Sequence, residues 1–329
     1  MRIVIVGYGE MLQAIISGVL KTKHQIVGVL RHDNVLLKPF ISKVIDMLKP
    51  SMDYNFVRTM KLYDIKANSV NSDEFRNELK RLKADLVLVA SWSEKFSMQT
   101  INTVKYGCVN VHPALLPKYR GPNPYIHVIL NQEQRSGVTF HLMDVNYDTG
   151  AIVHQSSTAV LPNDTGMSLK LRCCDLAYYE IQMFLNNFKE KMSTPISQNE
   201  KEATYQSQFS LADCIIDFEK ETADEIDRKI RALTPWAKTF IPHRNQFFEF
   251  ENHKVYHKPS DKDAAQIIRI TQNSVFIVCA DKNVIEFSGL KLKSPLHSLF
   301  TSLYLHKFLK VNSKAIWCCI INKKNRRDI

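Results

Sequence analysis

The 329-residue sequence has no CxxC pair among its seven cysteines, and Cys173-Cys174 and Cys318-Cys319 are neighbours in the chain. Adjacent thiols suit neither a disulfide framework nor a zinc site, so Cys108, Cys173, Cys174, Cys214, Cys279, Cys318 and Cys319 read as reduced thiols. Long apolar runs are missing too. The opening one ends at Gly7 after a few residues, too short for a signal peptide, and none approaches the ~18 residues that a membrane helix needs. The expectation is a soluble, cytoplasmic protein that does not touch membrane. Glycine is absent where a dinucleotide fingerprint would need it. Gly7-Tyr8-Gly9 is followed by Leu12 at the third-glycine position, and Arg31 and His32 stand where an acidic ribose clamp belongs. A tight strand-to-helix turn explains these glycines better than NAD or FAD binding.

Acidic residues are scarce at one end only. Residues 1–228 carry 26 basic and 26 acidic side chains, whereas 229–329 carry 18 and 7, so the whole net charge of +11 lies in the last third. Such a surplus favours an anionic partner: nucleic acid, nucleotide or phosphate. The tail 310–329 is itself basic, with Trp317-Cys-Cys-Ile-Ile before Lys323-Lys324-Asn-Arg326-Arg327, and reads as a last strand or a frayed appendage. A hydrophobic share of 45% and a charged share of 23% fit an ordinary globular chain of about two domains.

Short β-branched runs (2–6, 25–30, 85–90, 108–112, 138–143) alternate with stretches of helical spacing (11–20, 72–82, 124–131, 165–188). This pattern predicts an α/β domain with an open, mostly parallel, Rossmann-like sheet over 1–195. The segment 31–70 is the least readable part of it. After a polar linker at 196–208, a helix over 222–232 precedes short alternating runs that predict a small, basic β domain over 209–309. No internal repeat is present.

The chemistry concentrates in Asn110-Val-His112-Pro-Ala-Leu-Leu-Pro-Lys-Tyr-Arg-Gly121, followed by Gly137-Val-Thr and Asp148-Thr-Gly150. Strand alternation puts Asn110 and His112 on one face, near the C-terminal end of a strand, where open α/β sheets build their sites. An amide, an imidazole and a carboxylate gathered there can perform acyl transfer. Taken singly, Asn110 and His112 could equally cap a loop, and Asp148 could make a turn with Gly150. His127, His141 and His154 have no carboxylate or cysteine at ligand spacing, so they read as structural and no metal is expected.

Taken together, these residues resemble the signature of the folate-dependent formyltransferases, the family that includes methionyl-tRNA formyltransferase, the aminosugar nucleotide N-formyltransferases and glycinamide ribonucleotide transformylase. The likeness covers roughly residues 1–205. It departs at Ala114, where serine is usual. It implies the formyltransferase fold, followed by an OB-like barrel, and 10-formyltetrahydrofolate as formyl donor. Asn110 and a protonated His112 would hold the tetrahedral oxyanion, while Asp148 keeps His112 charged and helps take the amine's proton. The folate would lie along Ala114, Leu115, Leu116 and Pro117 and against Trp92, Glu94, Lys95 and Phe96, with the backbone from Asp144 to Asp148 meeting the pterin; Trp92 also reads as ordinary core.

Lys118 and Arg120 would meet the acceptor, Arg120 being suited to phosphate. The stretch Asp224–Trp236 resembles the start of the C-terminal domain of methionyl-tRNA formyltransferases. With the basic surplus it points to initiator methionyl-tRNA as acceptor and RNA partner, the formylated product serving translation initiation. An aminosugar nucleotide is the alternative acceptor. Release of formate to water and an idle fold serving as an RNA-binding module are further alternatives. A basic loop containing glycine, usual after the second strand in the tRNA enzymes, is replaced by a segment 31–64 that has lysines at 38, 43, 49 and 61 but no glycine. A monomer is expected.

Overall fold

The computed structural model describes residues 1–32, 51–243 and 246–292. Lysines 38, 43 and 49, the end of the expected β domain and the tail 310–329 lie outside the described residues. The chain divides into two compact units, one of residues 1–162 and 168–207, the other of 163–167 and Gln208 onward.

In the first unit, four parallel strands, β1 (Arg2–Gly7), β2 (Gln25–Arg31), β3 (Leu86–Ala90) and β4 (Cys108–His112), are extended by antiparallel β5 (Arg135–Leu142) and β6 (Ile152–Ala159). The order across the sheet is β2-β1-β3-β4-β5-β6. The central strands are apolar along most of their length and buried, as helices on both faces require. Leu79, Phe75 and Val70 pack with Val4, Val87 and Val89. The sequence pattern missed β6, because Ile-Val-His-Gln-Ser-Ser-Thr-Ala is a half-exposed edge strand without clean alternation.

The turn after β1 follows the tight-turn reading. A side chain at Gly7 would put its Cβ 2.1 Å from the Ala90 carbonyl oxygen, so only glycine lets β1 leave the sheet beside β3. Helix α1 (Gly9–Val19) starts there with no cap from Tyr8. Its cap comes from the helix Met52–Thr59: Asp53 accepts the Gly9 N–H at 2.7 Å and the Gln13 amide at 3.1 Å. A carboxylate at this end satisfies an orphan donor and complements the helix dipole. The chain's own carboxylate thus occupies the place where a dinucleotide would rest its phosphates.

Arg31 closes β2 with its side chain fully buried, and Asp64 receives two of its N–H bonds, both at 3.0 Å. Burial works to raise the Asp64 carboxyl, but hydrogen bonds from Arg31 and Lys66 outweigh it and hold the group below its ordinary value. Asp64→Ala is expected to destabilise the protein by about 3 kcal/mol, because breaking a buried pair from one side leaves the desolvated cation without that carboxylate. A urea titration checks this; a midpoint unchanged from the parent would contradict it.

Residues 196–207 are not the expected linker but belong to the first unit. Ile196 exchanges two backbone hydrogen bonds with Ile152, both at 2.8 Å, and Tyr205 forms a parallel bridge with Arg120. The physical reason is that this polar stretch finds its backbone partners on the motif loop and beside β6 instead of in water.

The second unit contains the helix Ala223–Leu233, started by a capping box between Thr222 and Glu225. Strands β10 (Ile267–Ile270), β11 (Ser274–Val278), β12 (Val284–Ser288) and β9 (Asn252–Tyr256) form one antiparallel sheet in that order. A second sheet holds β13 (Lys291–Leu292), β8 (Gln246–Glu249) and β7 (Ile241–His243). This is the expected small β domain. Ile226, Ile277, Ile285 and Phe287 form its core. Register puts Arg269, Phe276, Glu286 and Lys254 in a row across the opposite face of the four-stranded sheet.

Candidate active site

Antiparallel pairing of β4 with β5 sets Asn110 opposite His141 and His112 opposite Thr139. Side chains alternate along a strand, so these four share one face. Asp148 joins them from the loop between β5 and β6, held at a positive φ of 59°. Its Oδ1 lies 3.1 Å from the Asn110 amide nitrogen, 3.5 Å from His112 Nδ1 and 3.4 Å from His141 Nε2, while Oδ2 accepts the Gly121 N–H at 2.9 Å. Burial works to raise the Asp148 carboxyl. The His112 and His141 imidazoles and the Gly121 N–H outweigh it and hold the group well below the usual carboxylate range.

Tautomers follow from what each ring nitrogen faces. His112 Nε2 sits 2.8 Å from the Tyr119 carbonyl oxygen, which can only accept, so Nε2 carries the proton and Nδ1 turns to Asp148. Likewise His141 Nδ1 donates to the Leu142 carbonyl at 2.9 Å, leaving Nε2 to accept the Asn110 amide at 3.1 Å. Burial pushes His112 below its ordinary value, although Asp148 and the Tyr119 carbonyl oppose this. The net direction favours the neutral ring at rest, while both ring nitrogens face acceptors, the Tyr119 carbonyl and the Asp148 carboxylate, that would steady the ring once it is charged. A buried ring loses more hydration on charging than one carboxylate at 3.5 Å returns.

The loop after β4 is clamped from two sides. Thr139 donates to the Ala114 carbonyl at 2.6 Å and accepts the Leu116 N–H, while Gln155 reaches both Thr139 and the Leu116 carbonyl. On the other side, residues 198–206 run alongside the loop. Gly121 has φ 100°, and a Cβ there would meet the Gln206 carbonyl at 2.6 Å. Beside Asp148 opens a cleft of about 650 Å³, lined among others by Lys95, Pro122, Asp144, Tyr147 and Tyr205. A neutral imidazole, an ionised carboxylate and a carboxamide next to such a cleft can take a proton, stabilise the resulting cation and donate to a developing oxyanion.

Residues 1–183 match the formyl transferase family, and residues 208–298 match the formyl transferase C-terminal domain. The chain belongs to the formyl transferase family. A methionyl-tRNA formyltransferase of Buchnera aphidicola subsp. Baizongia pistaciae is 27% identical over 311 residues, 91% of this chain and 89% of the relative. The methionyl-tRNA formyltransferase of Thermotoga maritima is 31% identical over 243 residues, 73% of this chain and 76% of the relative. Among solved structures, the N-formyltransferase from Helicobacter canadensis, in complex with folinic acid and dTDP-3-aminofucose, shares the fold with a TM-score of 0.64 at 20% identity. That likeness covers 87% of this chain and 98% of the other. The protein is thus an enzyme, a transferase with the formyltransferase fold.

The expected trio of Asn110, His112 and Asp148 is brought together, and the other expected site residues divide. Lys95 and Asp144 line the cleft. The Lys95 ammonium lies over the Tyr147 ring at 4.8 Å, and Asp144 accepts the Thr149 hydroxyl. Ala114 and Leu116 are buried, whereas Leu115 and Pro117 are half-buried. Phe96 is core, and Glu94 is occupied by Ser69, Asn71 and the Val70 N–H. Trp92 packs on that core and stands edge-on to His32, with its indole N–H buried and without a hydrogen-bond partner among the described residues. Lys118 remains exposed, 3.6 Å from Glu133.

Arg120 is not open to a phosphate as expected. Its buried guanidinium is taken by Gln198 and Glu200, both within 3.1 Å, and by the Tyr205 hydroxyl at 3.0 Å. It braces the motif loop against 198–205. His141 is the residue the sequence reading set aside, and only its strand register gave it away. His154 pairs with Glu180 at 2.6 Å and His127 faces the Ser207 carbonyl. Among the described residues, no cluster of His, Cys, Asp and Glu could hold a metal ion. No helix among them is long and apolar enough to cross a membrane.

Proposed function

We propose that this enzyme transfers the formyl group of 10-formyltetrahydrofolate to the amino group of initiator methionyl-tRNA. The observation that carries the reading is the match, over 91% of the chain, to a relative named methionyl-tRNA formyltransferase. The charge distribution supports it independently, since the entire surplus lies in residues 229–329. In the row across the four-stranded sheet, Lys254 lies over the Tyr256 ring and Arg269 over the Phe276 ring, and neither forms an ion pair among the described residues. Cations beside aromatic faces suit an RNA backbone and its bases.

In the transfer, the amine nitrogen bonds to the formyl carbon and the carbonyl oxygen becomes an oxyanion; as that oxygen re-forms the carbonyl, the bond from the carbon to the folate N10 breaks and N10 receives the proton that His112 removed from the amine. Asn110 turns one amide N–H from Asp148 to the oxyanion. Neutral His112 takes the amine's proton at Nδ1, and the ionised Asp148 beside it stabilises the imidazolium. Lys95 at the open side of the cleft suits the carboxylates of the folate tail.

The test is transfer of labelled formyl to charged initiator methionyl-tRNA beside a panel of aminosugar nucleotides. Transfer to a sugar alone would remove the tRNA acceptor and leave the trio in place. Removing Lys254 and Arg269 together, each to Ala, is expected to lower kcat/KM for the tRNA about 10-fold and to flatten the plot of log affinity against log salt by about 1–2, for two lost phosphate contacts. Binding measured at several salt concentrations checks this; an unchanged slope would take RNA off this face.

A further inference from the structure

The Asp148 carboxylate faces two imidazoles, and the reaction as derived uses only one. His141 is 2% exposed on β5, with Asn110 directly opposite on β4. Its Nδ1 is tied to the Leu142 carbonyl, so Nε2 is the only ring atom whose role can change. That atom lies between two partners, the Asn110 amide nitrogen at 3.1 Å and Asp148 Oδ1 at 3.4 Å. Unprotonated, it accepts from Asn110. Protonated, it can no longer accept, and donates to Asp148 instead.

We propose that His141 is a positioning residue for formyl transfer: its unprotonated Nε2 anchors one N–H of Asn110, so that the other is aimed at the oxyanion. The Asn110 amide has two N–H donors. With one anchored on His141, the second is shared in turn between Asp148 and the oxyanion, and the carboxamide does not rotate away between turnovers. Protonation of His141 undoes the arrangement twice. Asn110 loses its anchor, and Asp148 Oδ1 is claimed by a cation other than His112. The charged and titratable groups around the ring are Asp148 and His112; Asn110, the Gly121 N–H and the Leu142 carbonyl complete the polar set. His141 also bears on His112 electrostatically, pushing its titration down.

Simple packing makes a different prediction. A ring present only to fill space could be replaced by any side chain of similar volume with no change in how activity depends on pH. The proposal rests on the formyl-transfer reading of the site, but one of its readouts needs no acceptor.

The experiment compares His141→Gln, which can still accept from Asn110 but does not titrate, with His141→Leu, which can do neither. Melting curves establish that each is folded. The Gln variant is expected to keep its plateau kcat within about 5-fold, with the acid limb of its activity moving upward together with the His112 titration. The Leu variant should lose about 10- to 100-fold in kcat at unchanged KM, less than the ~100- to 1000-fold typical of removing an oxyanion donor itself. Separately, NMR titration of His112 in His141→Gln should move upward relative to the parent, since a neighbouring cation has been removed. A loss of kcat with the acid limb and the His112 titration both unmoved assigns His141 to packing and overturns the proposal, as do two variants indistinguishable from the parent. If the parent fails to formylate methionyl-tRNA while the His112 titration still moves, the acceptor reading falls and the role of His141 stands.

Discussion

Asp148→Asn is expected to lower kcat by about 10²- to 10⁴-fold, the range spanned by positioned acid–base groups. The change keeps the size of the side chain and the possibility of accepting the Gly121 N–H, but it removes the charge that stabilises His112 once that ring takes the amine's proton. It also sets an amide where Oδ1 receives Asn110. Single-turnover kinetics with saturating donor isolate the chemical step; a variant within 10-fold of the parent would remove Asp148 from the reaction. The same substitution has a stability signature. The folded Asp148 carboxyl lies well below its unfolded value, so as pH falls the unfolded chain takes up the proton first. The stability that Asp148 contributes is therefore present above the ordinary carboxylate range and is lost as pH falls below it. Acid unfolding curves of parent and variant should converge at low pH and separate near neutrality.

Asn110→Ala is expected to cost about 100- to 1000-fold in kcat, with donor affinity nearly unchanged. Its amide interacts with His141 and Asp148 inside the same face, and the oxyanion it would meet exists only during transfer. The loss should therefore appear in kcat and not in KM. Combining it with Asp148→Asn gives a sharper check. The two residues share a hydrogen bond, so the double variant should lose much less than the product of the single losses. Full multiplicativity would show that they act separately and would undo the shared site described here.

Local signals in the chain carried far. Apolar β-branched runs marked β1, β2, β3 and β4 because buried parallel strands are apolar throughout. Alternation along β4 put Asn110 and His112 on one face before any neighbour was known. The missing third glycine already disfavoured a dinucleotide. The structure supplied the cause from elsewhere, in the Asp53 carboxylate bonded to Gly9 from 44 residues away.

Arg120 shows where local reading stopped. Beside Lys118 at the expected acceptor entry, Arg120 looks like a phosphate ligand, and its neighbours in sequence say nothing of Gln198 and Glu200, 78 and 80 residues on, which bury it. Edge strand β6 was lost for a related reason: with one side half in solvent, its polar residues break the period that identifies a strand. The sequence by itself determined the two-part organisation, the parallel sheet, the shared face of Asn110 and His112 and the concentration of positive charge in the last third of the chain, since each depends on periodicity, composition or spacing within one segment. Only the tertiary structure decided that His141 faces Asn110, that Arg120 is a brace and that burial works against the charged form of His112. Pairing register and burial join residues far apart in the chain, and neither is written in the neighbours of any one of them.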